Sequence, residues 1–275
     1  MKKMVFGIIL AFVVFIFPSI CIGVAIGEDD EYEKIKDEAI EVSVKETVTT
    51  EHKNEEDIEV SAKPVVTPEK EKVEYPKQLI EMQDKYPETK TFVDEYEEKK
   101  DIQPAASVGS VRKGEIPLLV QWDERWGYQE YGDYLMATDG CGPTCLSMVI
   151  VGLTGNTSIT PYEVAKYAEA NDYYEYGVGS KWTLMTEGAK HFGVTGIELP
   201  LYKESIFTAL ENDMPIICSV GPGDFTTNGH FIVLVGISDG KILVNDPNSR
   251  ANSSQLWEYD RLAGQIINLW AYIAQ

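Results

Sequence analysis

Gly140-Cys141-Gly142-Pro143-Thr144, followed by the apolar run 145–151, is the stretch from which the rest of the chain can be organised. Pro143 suits the first turn of a helix, where its missing N–H costs nothing and its fixed φ is already helical. The pattern predicts a helix over 145–151 with Cys141 just ahead of it. A helix N-terminus presents unpaired N–H groups and the positive end of the dipole, so it favours an anion. A thiolate is such an anion, which is why reactive cysteines are found in this setting. Gly140 and Gly142 carry no side chains, which is expected to let a substrate backbone approach Cys141. Cys145, one turn on, should face inward with Met148 and Val149 as a small buried hydrophobe. A Cys141–Cys145 disulfide within a helix would have poor geometry. Taken alone, Cys141 reads equally as a tight packing residue or a nucleophile.

Working toward the C-terminus, a helix is expected over 161–170, with Thr160 as N-cap and Glu163 completing a capping box. Further helices are expected over 182–192 and 203–212. Then the period changes. Runs 215–220, 230–237, 241–246 and 266–273 read as strands, the third following the turn Asp239-Gly240. Helices first and antiparallel strands second is an α+β pattern.

A thiol nucleophile needs a base, and the chain has 3 histidines. His52 lies in a charged spacer. His191 ends a helical run beside Phe192 and reads as a surface or capping residue. His230 opens an apolar strand after the glycine-containing loop 221–229, a position at the mouth of a cleft. Its bland alternative is a satisfied core histidine. A nucleophile on an early helix with a base on a later strand is the arrangement of papain-like peptidases. Asp246 ends the next strand and is the candidate to orient the imidazole. Asn245 and Asn248 are rivals for that role, and a turn-forming Asp before Pro247 is the structural alternative. Gln121, in Gln121-Trp122-Asp123, is the candidate oxyanion donor, aided by the Cys141 N–H. The loop 173–179, rich in tyrosine, reads equally as a wall of the substrate cleft or as a surface loop with ordinary tyrosines. No metal or cofactor is expected: Cys141 and Cys145 have no second pair at zinc spacing, and Cys218 sits inside a strand.

The 275 residues carry 24 Lys+Arg against 45 Asp+Glu, a net charge of −21, which argues against nucleic acid as a partner. At 44% hydrophobic and 11% aromatic the chain can build a core, and 4 cysteines are too few for a disulfide scaffold. Lys2 and Lys3 precede an uncharged stretch over 4–26, long enough to span a bilayer. Residues 1–27 are therefore expected to be a signal peptide or a membrane anchor, with the rest exported to the outer face of the cell membrane or beyond. Residues 28–74 read as an acidic disordered spacer. Residues 75–115 read as a helical lead-in, broken at Pro87, and a connector. Residues 116–275, which hold all five tryptophans, are the expected catalytic domain. The oligomeric state is open, a monomer being the expectation.

Four motifs in order resemble the bacteriocin-processing, double-glycine cysteine peptidases of papain-like fold, family 39 of the cysteine peptidases. They are Gln121-Trp122-Asp123, Gly140-Cys141-Gly142-Pro143-Thr144, Gly229-His230-Phe231-Ile232-Val233-Leu234 and Asn245-Asp246-Pro247-Asn248-Ser249. The likeness covers about residues 75–275 and is nearest to the stand-alone, exported branch of Gram-positive bacteria. It implies Cys141 as nucleophile, His230 as base, Asp246 as orienter and Gln121 as oxyanion donor, acting on a peptide or protein substrate. Two features depart from the transporter-type members. No exporter segment follows here, and Gln121 lies 20 residues before Cys141, a longer gap than theirs. Two other classes remain open. One is an inactive surface-binding module on the same fold; the other is a thiol amidase or acyl transferase acting on cell-wall peptides.

Overall fold

The structure is a computed structural model, and it describes residues 76–275. The expected export segment (1–27), the acidic spacer (28–74), Cys21 and His52 lie outside the described residues. Among the described residues no helix is long and apolar enough to cross a membrane.

The lead-in folds as α1 (Lys77–Lys85), a 3-10 turn (Pro87–Thr89), α2 (Lys90–Asp94) and α3 (Tyr96–Lys99). The helix breaks at Pro87, whose ring nitrogen has no hydrogen to continue the ladder. A small hairpin, β1 (Glu130–Tyr131) and β2 (Tyr134–Leu135), leads into α4 (Met136–Asp139) and then α5 (Cys141–Thr154). Next come α6 (Pro161–Ala170), the hairpin β3 (Tyr174–Glu175) and β4 (Gly179–Ser180), β5 (Val194–Glu198) and α7 (Lys203–Glu211). The remainder holds β6 (Ile216–Val220), β7 (His230–Ser238), β8 (Lys241–Asn245), α8 (Arg250–Ser253), β9 (Leu256–Trp257), α9 (Tyr259–Ala263) and β10 (Ile266–Ala274).

The main sheet is antiparallel throughout, in the order β5-β10-β6-β7-β8-β9. α5 is apolar on every side because it is buried on every side: Gly142 to Gly152 are all buried. It packs on one face of the sheet with α6, through Met148, Val149, Val164, Val233 and Trp270. α7 and α9 cover the other face with Ile206, Leu262, Phe225 and Trp257. α5 ends where Gly155 adopts φ 76° and its N–H caps the Val151 carbonyl, a conformation glycine takes without strain. The result is the expected α+β, papain-like architecture.

The lead-in has its own apolar contact with this body. Leu79, Met82, Phe92 and Val93 bury against Val120, Trp122 and Tyr128, and Phe92 stacks on Tyr128 at 4.1 Å. Fully burying such side chains is worth about 1.5–3 kcal/mol each, so this segment is part of the folded unit.

Local differences from the sequence reading have physical reasons. The 182–192 helix is replaced at its centre by a wider π turn, Leu184–Gly188, in which the Met185 carbonyl accepts the buried Tyr272 hydroxyl at 2.8 Å. The capping box of α6 is half made: the Thr160 hydroxyl accepts the Glu163 N–H, but the Glu163 carboxylate turns to Lys166 at 2.7 Å. β5 and β9 were not expected. β9 is two residues long, and β5 is interrupted by Gly196, so neither carries enough periodicity to announce itself.

Candidate active site

Cys141 is the first residue of α5 and is half-buried. It lines the same cleft as His230, near enough for its sulfur to help raise the imidazole pKa. His230 opens β7 opposite Val220 of β6 and is buried. Its Nε2 bonds Asp246 Oδ1 at 2.8 Å, which leaves Nδ1 for the sulfur. Burial pulls the imidazolium down, but the charge and hydrogen bond of Asp246, with Cys141, outweigh it. His230 is therefore held above its ordinary pKa. Thiol, imidazole and carboxylate are thus brought together in the order expected.

The register of β7 and β8 explains how Asp246 reaches His230. The ladder pairs Ser238 with Lys241, Ile237 with Ile242 and Gly236 with Leu243, then shifts and pairs Leu234 with Val244. Val235 is the extra residue of a bulge. Side chains alternate along a strand, so one added residue exchanges faces. Continued past the shift, the pairing sets Asp246 opposite Ile232, on the face that His230 shares. Without the bulge Asp246 would fall opposite Val233, on the other face. Bulges re-aim side chains in this way beside functional sites.

Asp246 is fully buried, and each carboxylate oxygen is occupied. Oδ1 accepts His230 and the Asn248 N–H at 2.8 Å, and Oδ2 accepts Asn252 Nδ2 at 2.8 Å. Neither rival side chain bonds His230: Asn245 is engaged elsewhere, and Asn248 Oδ1 is buried without a partner. Asn245 Nδ2 donates to the Pro117 carbonyl at 3.1 Å. Asn248 contributes its backbone N–H to Asp246, and its carbonyl accepts Trp122 Nε1 at 3.0 Å.

Gln121 is buried. Its backbone N–H donates to the Pro247 carbonyl at 2.8 Å, and its Nε2 to the Ala137 carbonyl at 2.8 Å. Ala137 precedes Cys141 by four residues, so helical spacing would offer that carbonyl to the Cys141 N–H. The amide of Gln121 takes it instead. Gln121 Oε1 is buried without a partner. The residue is fully buried and is not among those that line the cleft.

The two glycines beside Cys141 correct an expectation. A Cβ on Gly142 would stand 2.5 Å from Ser180 Oγ and 2.7 Å from Ser180 Cβ; one on Gly140 would stand 2.4 Å from the Met136 carbonyl. Their bare backbone makes room for the chain itself, not for substrate. Cys145 and Cys218 are fully buried and free, as expected, and burial pushes both thiols up. His191 is away from the site, stacked on Tyr167 at 4.1 Å.

Cys141 and His230 open into a cleft of about 610 Å³. The cleft is lined by the β3–β4 hairpin tip, Gly177 to Ser180, with Trp182, and by Met82 and Lys85 of α1 with Tyr86 just after it. Asp139 lies on the wall two residues before Cys141, its carboxyl pushed up to about 6 by burial and by Asp133. The α1 wall and Asn252 escaped sequence reading. Nothing local in Asn252 distinguishes it from a turn asparagine, and α1 reaches the cleft only by folding back. Among the described residues no group of His, Cys, Asp and Glu is arranged to hold a metal.

A half-buried thiol on the helix that packs against an antiparallel sheet, with a carboxylate-held imidazole on the sheet, is the architecture of papain-like cysteine peptidases. Residues 113–275 match the Peptidase_C39 like family, and the chain belongs to that family of cysteine-type peptidases. Similar solved structures include the peptidase domain of Streptococcus ComA, a bi-functional ABC transporter involved in a quorum sensing pathway. That one is 18% identical, with a TM-score of 0.38, over 50% of this chain and 93% of that one. A putative C39-like peptidase from Bacillus anthracis is 16% identical, with a TM-score of 0.34, over 61% of this chain and 98% of that one. A double glycine motif protease from an AMS/PCAT transporter, in complex with the leader peptide, is 16% identical, with a TM-score of 0.33, over 63% and 97%. No curated protein matches the chain.

Proposed function

We propose that this chain is an exported thiol peptidase that hydrolyses a peptide bond through Cys141, His230 and Asp246. The observation that carries the reading is the buried 2.8 Å bond from His230 Nε2 to Asp246 Oδ1, with Cys141 and His230 lining the same cleft. His230 Nδ1 takes the proton of Cys141, and the raised imidazole basicity favours the resulting thiolate–imidazolium pair. The thiolate attacks the carbonyl carbon. The Cys141 N–H is the donor proposed for the oxyanion; Gln121, the second donor expected from the sequence, is buried off the cleft with its Nε2 on the Ala137 carbonyl. The C–N bond then breaks as the imidazolium protonates the departing amine. Water hydrolyses the thioester with His230 as base, which restores the thiol.

Export rests on Lys2, Lys3 and the apolar run 4–26, which would carry the enzyme to the outer face of the membrane or beyond. The stand-alone, exported branch of the family is the corresponding placement. The test is digestion of a peptide library, including peptides with an internal double glycine, read by mass spectrometry. Cleavage by the wild type is expected, with kcat/KM at least roughly 10⁴-fold lower in Cys141→Ala. Undiminished cleavage by Cys141→Ala would overturn the assignment.

A further inference from the structure

We propose that the lead-in before the family-matched region is a working part of the catalytic apparatus, with Glu88 and Asn252 as positioning residues for Asp246. This rests on the Cys141–His230–Asp246 reading above. Asp246 Oδ1 is shared by His230 and a backbone N–H, and Oδ2 is held by Asn252 Nδ2 at 2.8 Å. Rotation about the Cβ–Cγ bond would turn the carboxylate plane away from the imidazole, and the bond to Asn252 opposes that rotation. Asn252 therefore helps to hold the carboxylate plane in line with the ring of His230.

Asn252 sits on α8, a single turn, and one turn of helix does not hold itself together in water. Its support comes from outside. At its start, the Ser249 hydroxyl accepts the Asn252 N–H at 3.1 Å and donates to Glu88 Oε1 at 3.0 Å. The Arg250 N–H donates to the same carboxylate at 3.0 and 3.2 Å. A carboxylate is the favoured group at such an end. At its close, the Asn252 carbonyl accepts Trp257 Nε1 at 3.0 Å. The guanidinium of Arg250 lies 5.0 Å over the Trp122 ring, whose Nε1 holds the Asn248 carbonyl. Glu88 is fixed in turn by the 3-10 turn Pro87–Thr89 and the buried Phe92 and Val93. The path runs from the lead-in through Glu88, α8 and Asn252 to Asp246 and His230. Its first member lies 25 residues before the family match begins at residue 113.

The experiment measures alkylation of Cys141 by iodoacetamide against pH in the full chain, read by mass spectrometry, alongside melting curves. It needs no substrate. Asn252→Ala is expected to lower the rate near pH 6 about tenfold, the scale of one hydrogen bond to a charged group, and to displace the pH profile. Glu88→Ala should act in the same direction by about threefold, and Glu88→Gln, which keeps an acceptor oxygen, should recover most of the loss. The double variant Glu88→Ala/Asn252→Ala should be no slower than Asn252→Ala, because Glu88 acts through Asn252. Should Glu88→Ala fail to fold, Ser249→Ala removes one of its contacts and carries the same comparison. If His230→Ala reacts as fast as the wild type, the thiol–imidazole reading itself fails. If that control behaves as expected but Asn252→Ala keeps the wild-type rate and profile, or the two losses add, the positioning proposal is wrong.

Discussion

At the scale of the residue, Gly142 shows how tightly the nucleophile is bounded. The space its Cβ would need holds Ser180, whose Oγ also bonds the Tyr131 hydroxyl at 2.7 Å. Gly142→Ala is expected to cost about 1–3 kcal/mol of stability, the usual range for overpacking. Adding Ser180→Gly should return part of it, which denaturant midpoints of the single and double variants would check. Asp246→Asn keeps the shape of its partner to His230 and removes the charge. The imidazolium then loses the interaction that raises it, so the alkaline limb of the kcat/KM profile should move to lower pH. An unmoved limb would show that Asp246 does not set the basicity of His230. Cys141, His230 and Asp246 were legible in the sequence because chemistry demands few residue types and each stands at an element end. Asn252 was not, because its role exists only through a partner six residues away across a turn.

At the scale of the element, the β3–β4 hairpin and the β7 bulge decide what the site can meet. Val178 lines the cleft yet is 75% exposed, and Tyr176, two residues before it, is 78% exposed and not among the lining residues. A side chain that buries nothing on folding contributes little to stability. Val178→Ser should leave the melting midpoint unchanged within about 0.5 kcal/mol, while raising KM more than it lowers kcat. A raised midpoint cost with unchanged KM would make the hairpin structural only. The sequence left the loop 173–179 open between a cleft wall and an ordinary surface loop. It lines the cleft through Gly177, Val178 and Gly179 and not through its tyrosines, a choice hidden in the sequence because a two-residue strand fixes no face by itself. The bulge at Val235 was invisible for a related reason. The run 230–237 is apolar at nearly every position, so no alternation marks where one residue is spare. The π turn at Leu184–Gly188 was hidden in the same way, because its hydrophobic spacing is close to that of an ordinary helix.

At the scale of the molecule, the buried His230–Asp246 pair links stability to pH. The folded chain holds the His230 proton more tightly than the unfolded chain, where the pKa is about 6.5. The stabilisation is therefore complete below about pH 6.5 and is lost as pH rises through the raised folded value. Stability of the wild type, measured by denaturant unfolding, should fall across the alkaline range more steeply than that of Asp246→Asn. Parallel slopes would mean that other groups govern this range. The sequence by itself determined the α+β class, the order of helices and strands, the thiol at a helix start, and the imidazole and carboxylate on successive strands. Those are consequences of hydrophobic period, turn residues and side-chain chemistry, which act over a few positions. Only the tertiary structure decided that a bulge turns Asp246 toward His230, that the glycines beside Cys141 yield their space to Ser180, and that the lead-in forms a wall of the cleft and braces α8. Those depend on which surfaces meet after the chain has folded back over more than a hundred residues, and no local pattern carries that information.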